Sequence, residues 1–183
     1  MSESGLAIFE TPIGACGLAW RPEGLAGVLL PDRDSARTLA RLRERHPGLE
    51  PAQPPDWVAQ AIGRIGRLLS GEPDDLMSVP VDWSRVGAFD SSVLREARRI
   101  RPGETLTYGE LAERVGEPGR ARAVGQALGR NPWPIVVPCH RVTAASGRTG
   151  GFSAPGGVST KLRLLEIEGA LAAERLPLFA SPT

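Results

Sequence analysis

The stretch Ile-Val-Val-Pro-Cys-His-Arg-Val occupies residues 135–142 and places a cysteine between an apolar run and two basic side chains. The aliphatic residues 135–137 predict a short buried strand. Pro138 ends this strand, because proline has no backbone N–H to donate to a neighbouring strand. Cys139 then lies beside an imidazole and a guanidinium, a setting typical of cysteines whose thiol pKa is lowered. The alternative is a buried structural cysteine next to a solvated His-Arg pair.

The composition is that of an ordinary globular protein. The 183 residues are 41% hydrophobic and 23% charged, which fits one large domain or two small ones. No apolar run reaches the roughly 18 residues of a membrane span, and the first residues lack the basic segment of a secretory signal. We therefore expect a cytoplasmic protein that makes no membrane contact. Cys16 and Cys139 should both be reduced, and the scattered Cys and His residues predict no metal site.

The two halves of the chain differ in charge. Residues 1–88 hold 9 basic and 12 acidic side chains, whereas residues 89–183 hold 13 basic and 9 acidic ones. Of those 13 cations 12 are arginines, and Lys161 is the one lysine of the whole chain. Arginine suits phosphate because its planar fork binds two oxygens at once, but a high arginine content also follows genomic base composition.

The first half predicts a small antiparallel sheet with helices. Turns in which a glycine follows a proline by two positions separate three apolar segments, at residues 6–10, 15–21 and 25–30. Cys16 falls within the second strand, and we interpret it as a core residue. Helical periodicity covers residues 34–45 and residues 56–69, with Asp56 as the N-cap of the second helix. Residues 79–83 predict an edge strand.

The second half predicts a helix-turn-helix. Thr107 and Glu110 form a capping box that opens a helix over residues 108–115, and a Gly-containing turn leads to a second helix over residues 120–129. This second helix is rich in small residues and carries Arg122. Tight packing against other helices would explain the small residues. A helix that enters a nucleic-acid groove and inserts its arginine explains both the composition and the charge.

Further helices flank this motif. A cap signal at residues 89–92 predicts a helix before it, and a Gly-rich loop at residues 150–157 leads to a last helix over residues 158–169. The inward face of the last helix is predicted from Leu162, Leu165 and Ile167. Glu166 and Glu168 lie near its C-terminus, where the helix dipole disfavours acids, which indicates that one of them has a separate role.

Taken together, these residues resemble the O6-alkylguanine-DNA alkyltransferase family. Five segments match in order and spacing across roughly residues 89–170, and the first half is weakly similar to the family's N-terminal sheet domain. The segments are Pro-Gly-Glu-Thr-Leu-Thr-Tyr-Gly-Glu-Leu-Ala at 102–112, Arg-Ala-Val-Gly at 122–125, Asn-Pro at 131–132, Pro-Cys-His-Arg-Val at 138–142, and Leu-Leu-Glu-Ile-Glu-Gly at 164–169 with Lys161.

The resemblance supports a mixed α/β (α+β) fold in three parts. Residues 1–88 form a structural, antiparallel sheet domain with helices. Residues 89–172 form a mainly helical, winged-helix-like domain that binds DNA and carries the reactive cysteine. Residues 173–183 form a tail.

The resemblance also implies DNA repair by direct damage reversal. The alkyl group of O6-alkylguanine, methyl first, and of O4-alkylthymine moves irreversibly to Cys139, once per molecule and with no cofactor. His140 takes the thiol proton through a water, and Glu168 orients the imidazole. Tyr108 helps to rotate the base out of the duplex and protonates the departing guanine. Asn131 ties the helix-turn-helix to the Cys segment.

The implied partner is duplex DNA containing O6-alkylguanine, bound by a monomer at the nucleoid. Arg122 lies in the minor groove and fills the space of the rotated base. Further DNA contacts are implied for Thr107, Ala121, Ala123, Gly125, Leu128 and Arg130. The implied alkyl pocket comprises Tyr108, Trp133, Pro134, Val142, Phe152, Ser153 and Lys161. Relative to the family pattern, Phe152 stands where many members have tyrosine, and two extra residues stand around Ala154 and Pro155.

Three other functions fit parts of the sequence. A non-enzymatic protein that recognises alkyl lesions would resemble this chain but carry tryptophan in place of Cys139. A helix-turn-helix transcription regulator would not need the Cys-His-Glu set. A cysteine hydrolase would need an oxyanion hole and an orienting Asn or Asp for His140, and nothing in the sequence singles out either.

Overall fold

The structure, a computed structural model, describes residues 2–145 and 149–171. The predicted tail at 173–183 lies outside the described residues. The strands are β1 (Gly5–Thr11), β2 (Gly14–Arg21), β3 (Gly24–Leu29), β4 (Leu106–Thr107) and β5 (Val142–Thr143). The α-helices are α1 (Ser35–Arg45), α2 (Asp56–Leu69), α3 (Ala88–Ala97), α4 (Tyr108–Arg114), α5 (Ala121–Gly129) and α6 (Gly157–Ile167). Short 3₁₀ helices lie at Trp83–Arg85 and Cys139–Arg141.

The predicted antiparallel sheet is confirmed, with the order β1-β2-β3. Side chains alternate between the two faces of a strand, so β2 separates its residues cleanly. Leu18 and Trp20 point into the main core, whereas Ala19 packs with Leu42 of α1 in a smaller cluster on the opposite face. The sheet is therefore apolar on both faces. One face packs against α1, and the other packs against the main core.

The main core runs through both halves of the chain without a break. Two hydrogen bonds join the halves at β3: the backbone N–H of Val28 donates to the carbonyl of Pro132 at 2.9 Å, and the indole N–H of Trp133 donates to the carbonyl of Leu25 at 2.7 Å. Trp133 is buried and meets Trp83 edge-on, with ring centroids 4.9 Å apart. The segment before Cys139 is thus fixed against the sheet, while the division into domains at residue 88 stays a prediction.

The helix-turn-helix is formed by α4 and α5, which pack against each other and against α3. The predicted capping box is present: the Thr107 hydroxyl accepts from the Glu110 backbone N–H at 3.2 Å, and the Glu110 carboxylate accepts from the Thr107 backbone N–H at 2.7 Å. The parallel pairing of β4 with β5 aligns Leu106 with Val142. This pairing places the start of α4 beside the chain that leaves the Cys139 segment.

Two predicted strands are wrong. Residues 135–137 are buried, as expected, but they form a turn, because a short apolar run buried on all sides gives no periodicity that separates strand from other structure. Residues 79–83 form only an isolated bridge, Val81 to Leu25, before the chain enters a 3₁₀ helix. Pro80 lacks the N–H that a longer ladder would require.

The predicted helix ends need smaller corrections. Asp56 lies in the first turn of α2, and its N-cap is Pro55. The helix α3 begins at Ala88, before the expected cap signal. On α6 the buried residues are Lys161, Leu164 and Leu165, so the inward face was predicted correctly only in part.

Candidate active site and nucleic-acid interface

Cys139 lies at a sharp turn and begins the 3₁₀ helix Cys139–Arg141. Ile135, four residues earlier, has a φ of 76°, a left-handed conformation that β-branched residues rarely adopt. The backbone N–H of Val137 donates to the carbonyl of Trp133 at 2.7 Å, and that of Cys139 donates to the carbonyl of Val137 at 2.8 Å. Because the chain turns here, adjacent side chains do not alternate across a strand and can serve one site.

His140, Arg141 and Glu168 form a buried polar cluster behind the cysteine. His140 Nε2 lies 2.9 Å from Glu168 Oε1. Arg141 binds the same carboxylate with two nitrogens, at 2.7 and 2.8 Å, and donates a third hydrogen bond to the carbonyl of Ile100 at 2.5 Å. The side chains of His140 and Arg141 are each 1% exposed and that of Glu168 is 3% exposed. A two-pronged arginine–carboxylate pair fixes the carboxylate plane and with it the imidazole.

These contacts decide the protonation of the cluster. Burial would raise the pKa of Glu168, but hydrogen bonds from Arg141 and His140 outweigh it and lower that pKa to about 2. Burial lowers the pKa of His140, opposed by its hydrogen bond to Glu168. The ring is therefore neutral at pH 7, and Nε2 carries its proton because the ionised carboxylate can only accept. His140 Nδ1 is left as a buried, basic nitrogen with no protein hydrogen-bond partner among the described residues.

Asn131 joins the end of the helix-turn-helix to the Cys139 turn. Its side-chain N–H donates to the carbonyl of Val137 at 2.8 Å, and its Oδ1 accepts from the backbone N–H of Trp133 at 2.9 Å. Its side chain also hydrogen-bonds Cys139, which favours the thiolate. One amide thus holds both the backbone of the turn and the sulfur.

The expectation of a lowered thiol pKa at Cys139 is wrong for this structure. Burial raises the pKa of Cys139. The hydrogen bond from Asn131, the charge of Lys161 and backbone hydrogen bonds lower it, but they oppose the effect of burial only in part. Desolvation disfavours a charged sulfur more than these neighbours favour it. The resting form is a thiol, so the site needs a group that can take its proton.

Tyr108 and Lys161 lie on the other side of Cys139. The Lys161 ammonium is buried, donates to the carbonyl of Val142 at 2.6 Å and lies 5.7 Å from the centroid of the Tyr108 ring. Burial lowers the pKa of Lys161 to about 8, while Cys139 opposes that shift. Burial and then Cys139 raise the pKa of the Tyr108 phenol, so this hydroxyl keeps its proton at pH 7.

Cys139 lies in the wall of two cavities. The first, which we call the groove cavity, has a volume of about 570 Å³. It is lined by Tyr108, Ala121, Arg122, Gly125, Gln126, Leu128, Gly129, Cys139 and residues 151–153. The second, which we call the junction cavity, has a volume of about 430 Å³ and opens between the sheet half and the helical half. It is lined by residues 28–30, Arg41, Arg45, His46, residues 128–132, Pro134, Cys139 and residues 152–155.

The exposed face of α5 forms one side of the groove cavity. Arg122 is exposed and has no ion-pair partner among the described residues. Gly125 faces Tyr108, and an added Cβ would make an ordinary van der Waals contact with the ring at 3.6 Å. Arg130 is different, because two of its nitrogens bind the Asp90 carboxylate at 2.7 and 2.8 Å. Of these two predicted DNA contacts, only Arg122 therefore offers a guanidinium that is unpaired among the described residues, at a cavity that Cys139 also lines.

The structure separates the remaining predicted residues into lining and supporting groups. Phe152 and Ser153 line both cavities, and Leu128 does so although it is largely buried. Pro134 lines the junction cavity. The predicted DNA contacts Thr107 and Ala123 line neither cavity, since Thr107 caps α4 and Ala123 is half-buried. Trp133, Val142 and Lys161 were predicted to line the pocket but are buried behind it, and Trp133 instead anchors the turn to β3.

Sequence reasoning missed two residues of the site. Arg141 was quoted within the Cys motif but assigned no role, although it holds Glu168. The signal was only partial, because a charged side chain in an apolar neighbourhood needs a partner of opposite charge, but the sequence does not show that residues 141 and 168 meet. Gln126 is exposed on the groove cavity, and nothing in its sequence context marks it.

In residues 2–145 and 149–171 no group of three or more His, Cys, Asp or Glu side chains could hold a metal ion. No helix in the same part of the chain is long and apolar enough to cross a membrane.

Comparison with known proteins gives one consistent picture. Residues 88–170 match the family described as "6-O-methylguanine DNA methyltransferase, DNA binding domain". The methylated-DNA–protein-cysteine methyltransferase of Mycolicibacterium paratuberculosis is 36% identical over 170 residues, 93% of this chain and 95% of its own length. That of Methanosarcina acetivorans is 37% identical over 172 residues, 90% of this chain and 97% of its own. The crystal structure of Mycobacterium tuberculosis OGT in complex with DNA superposes with a TM-score of 0.74 at 33% identity, covering 91% of this chain and 93% of that chain.

Proposed function

Since the chain belongs to the methylated-DNA–protein-cysteine methyltransferase family, we propose that it repairs duplex DNA by moving the alkyl group of O6-alkylguanine to Cys139. The observation that carries this proposal is the opening of Cys139 onto a cavity walled by Tyr108 and Arg122, with His140 and Glu168 behind it. O4-alkylthymine is the second substrate of the proposal.

The reaction is a displacement at carbon. The Sγ–C bond forms as the C–O6 bond breaks, and the electron pair of that bond stays with the guanine oxygen. The thiol loses one proton and the guanine gains one, so the overall reaction needs neither a cofactor nor a net proton. Sulfur is the suitable nucleophile, because a thiolate attacks an alkyl carbon better than a hydroxyl does.

His140 supplies the base that the raised pKa of Cys139 calls for. Its Nδ1 carries the free lone pair, so it accepts the thiol proton through a water, and Glu168 then stabilises the imidazolium. Arg141 keeps Glu168 ionised and in place for that purpose. On the other side of the sulfur, the protonated Tyr108 hydroxyl gives its proton to the departing guanine.

Recognition depends on α5 entering the minor groove. A base leaves the stack at a cost of a few kcal/mol, and less when alkylation has weakened its pairing. Arg122 has no competing carboxylate and takes the vacated space, while the small side chains at Ala121 and Gly125 let the helix approach the DNA backbone. The protein acts as a monomer in the cytoplasm, at the nucleoid, and each molecule acts once because the thioether at Cys139 is not cleaved.

Mass spectrometry of the protein after incubation with a duplex containing O6-methylguanine tests the proposal. We expect one methyl group per molecule, located on Cys139, and no transfer to the Cys139→Ala variant. Methyl transfer that survives in this variant would refute the assignment. A protein that binds the lesion without acquiring mass would be a recognition protein, and one that binds a specific promoter sequence without acquiring mass would be a regulator.

Arg122→Ala separates base rotation from chemistry. It should slow transfer from duplex by about a hundredfold or more, while reaction with free O6-benzylguanine should stay within about twofold, because a free base needs no extrusion. Arg130→Ala is the matched control, since that guanidinium is already bound to Asp90. Equal losses on duplex and free base in Arg122→Ala would contradict the role of Arg122.

A further inference from the structure

The junction cavity gives Cys139 a second opening that methyl transfer does not require. Its volume of about 430 Å³ lies within the range of roughly 300–1,000 Å³ found for small-molecule sites, far more than a methyl group occupies. It shares Cys139, Leu128 and Phe152 with the groove cavity, so the two spaces meet at the sulfur. Whatever occupies the junction cavity can therefore be attached to the carbon that the sulfur attacks.

The wall of the junction cavity is cationic. Arg41, Arg45, Arg130 and His46 line it, and among the described residues no Asp or Glu does. The Arg41 guanidinium is bound to the Asp32 carboxylate at 3.0 Å, and the Arg130 guanidinium is bound to the Asp90 carboxylate on α3.

Arg45 differs from its neighbours in the same wall. It has no ion-pair partner among the described residues, and burial and then the charge of Arg41 lower its pKa. His46 next to it is uncharged at pH 7, because burial and then the charges of Arg21, Arg45 and Arg85 lower its pKa to about 4. Arg45 is therefore the cation of this wall whose charge is free for an anion.

The geometry of the displacement connects this wall with the substrate. Sulfur, attacked carbon and departing O6 lie in line, so any further substituent on that carbon projects sideways from this line. Phe152 lines both cavities and Pro134 lines the junction cavity, so a substituent that leaves the groove cavity past Phe152 enters the junction cavity. We propose that, among the larger O6 substituents that extend into the junction cavity, Arg45 selects those ending in a carboxylate. This inference rests on the proposed function, and the carboxylate itself takes no part in the bonds made or broken.

A DNA phosphate is the other anion that Arg45 could bind. Free nucleobases decide between the two, because they carry no phosphate. The experiment compares the rates at which the protein reacts with free O6-(4-carboxybenzyl)guanine and with its neutral carboxamide analogue, which has nearly the same shape.

We expect wild type to react about fivefold faster with the carboxylate than with the carboxamide, the size of one partly exposed ion pair. Arg45→Ala should remove this preference, and Arg45→Glu should reverse it. Arg43→Ala is the matched control, because Arg43 lies on the same helix and carries the same charge but pairs with Glu50 and lines neither cavity. It should keep the wild-type preference.

Two results would overturn the inference and leave the proposed function intact. One is equal wild-type rates for carboxylate and carboxamide, which would leave the phosphate as the anion for Arg45. The other is no reaction with either free base while methylated duplex is repaired, since the cavity would then not admit the substituent. Failure to take a methyl group from duplex refutes the proposed function itself, and the inference with it.

Discussion

Cys16 and Cys139 are the two thiols of the chain, and burial raises the pKa of both. Cys16 is sealed in the core under the sheet, with the Thr11 hydroxyl 3.7 Å from its sulfur. Its pKa reaches about 12, because burial dominates and the charge of Glu10 adds to it. Cys139 is only half-buried, and it faces two cavities. From this difference we expect the reactivity of Cys139 to depend on access and on an adjacent base rather than on a low resting pKa.

Chemical modification of the folded protein should show the largest contrast. Iodoacetamide should label Cys139 at least about a thousandfold faster than Cys16, since only one sulfur is reachable and close to a base. Peptide mapping by mass spectrometry after a time course measures both rates in one sample. The contrast should vanish in denaturant. Comparable native rates would mean that Cys16 is exposed by local opening and that the comparison of the two sites is invalid.

The stability of the protein in acid should depend on the buried cluster of His140, Arg141 and Glu168, which lies beside Cys139 and not beside Cys16. The pKa of Glu168 is about 2 in the fold, against an ordinary value of 4.5. A lowered carboxyl pKa stabilises the fold above the unfolded pKa, and this stability is lost as pH falls toward the folded pKa. The contribution is about 3 kcal/mol at pH 7 and should fall by about half by pH 3.

Urea unfolding of wild type and Glu168→Gln between pH 7 and pH 3 measures this contribution. The stability gap between the two proteins should narrow as pH falls. Glu166→Gln is the control, because Glu166 is exposed and, among the described residues, pairs with Arg163 alone. A gap that stays constant with pH would show that Glu168 is not the ionised centre of the cluster.

The contrast between the two thiols also marks what sequence alone can predict. The surroundings of Cys16 follow from the alternation of one strand, so its buried position was predicted correctly. The turn at residues 135–137 was not, because its conformation is imposed by contacts with distant residues, such as the bond from Trp133 to β3. Similarly, the resemblance implied that Glu168 orients His140, but the contact between Glu168 and Arg141 became visible only in the fold. The junction cavity lies beyond sequence reasoning, since α1 and residues 152–155 meet only in space.

The smallest expected effect comes from replacing, at each of the two cysteines, one neighbouring group that favours the thiolate. Lys161 lowers the pKa of Cys139 by its charge, so Lys161→Met should slow iodoacetamide labelling of Cys139 by about fivefold at pH 7. The effect should fade above pH 8, because wild-type Lys161, with a pKa of about 8, then loses its own proton. Thr11→Val is the counterpart, since the Thr11 hydroxyl lowers the pKa of Cys16. It should leave the pH–rate profile of Cys139 unchanged. If Lys161→Met shifted labelling equally at all pH values, the lysine would act through packing and not through its charge.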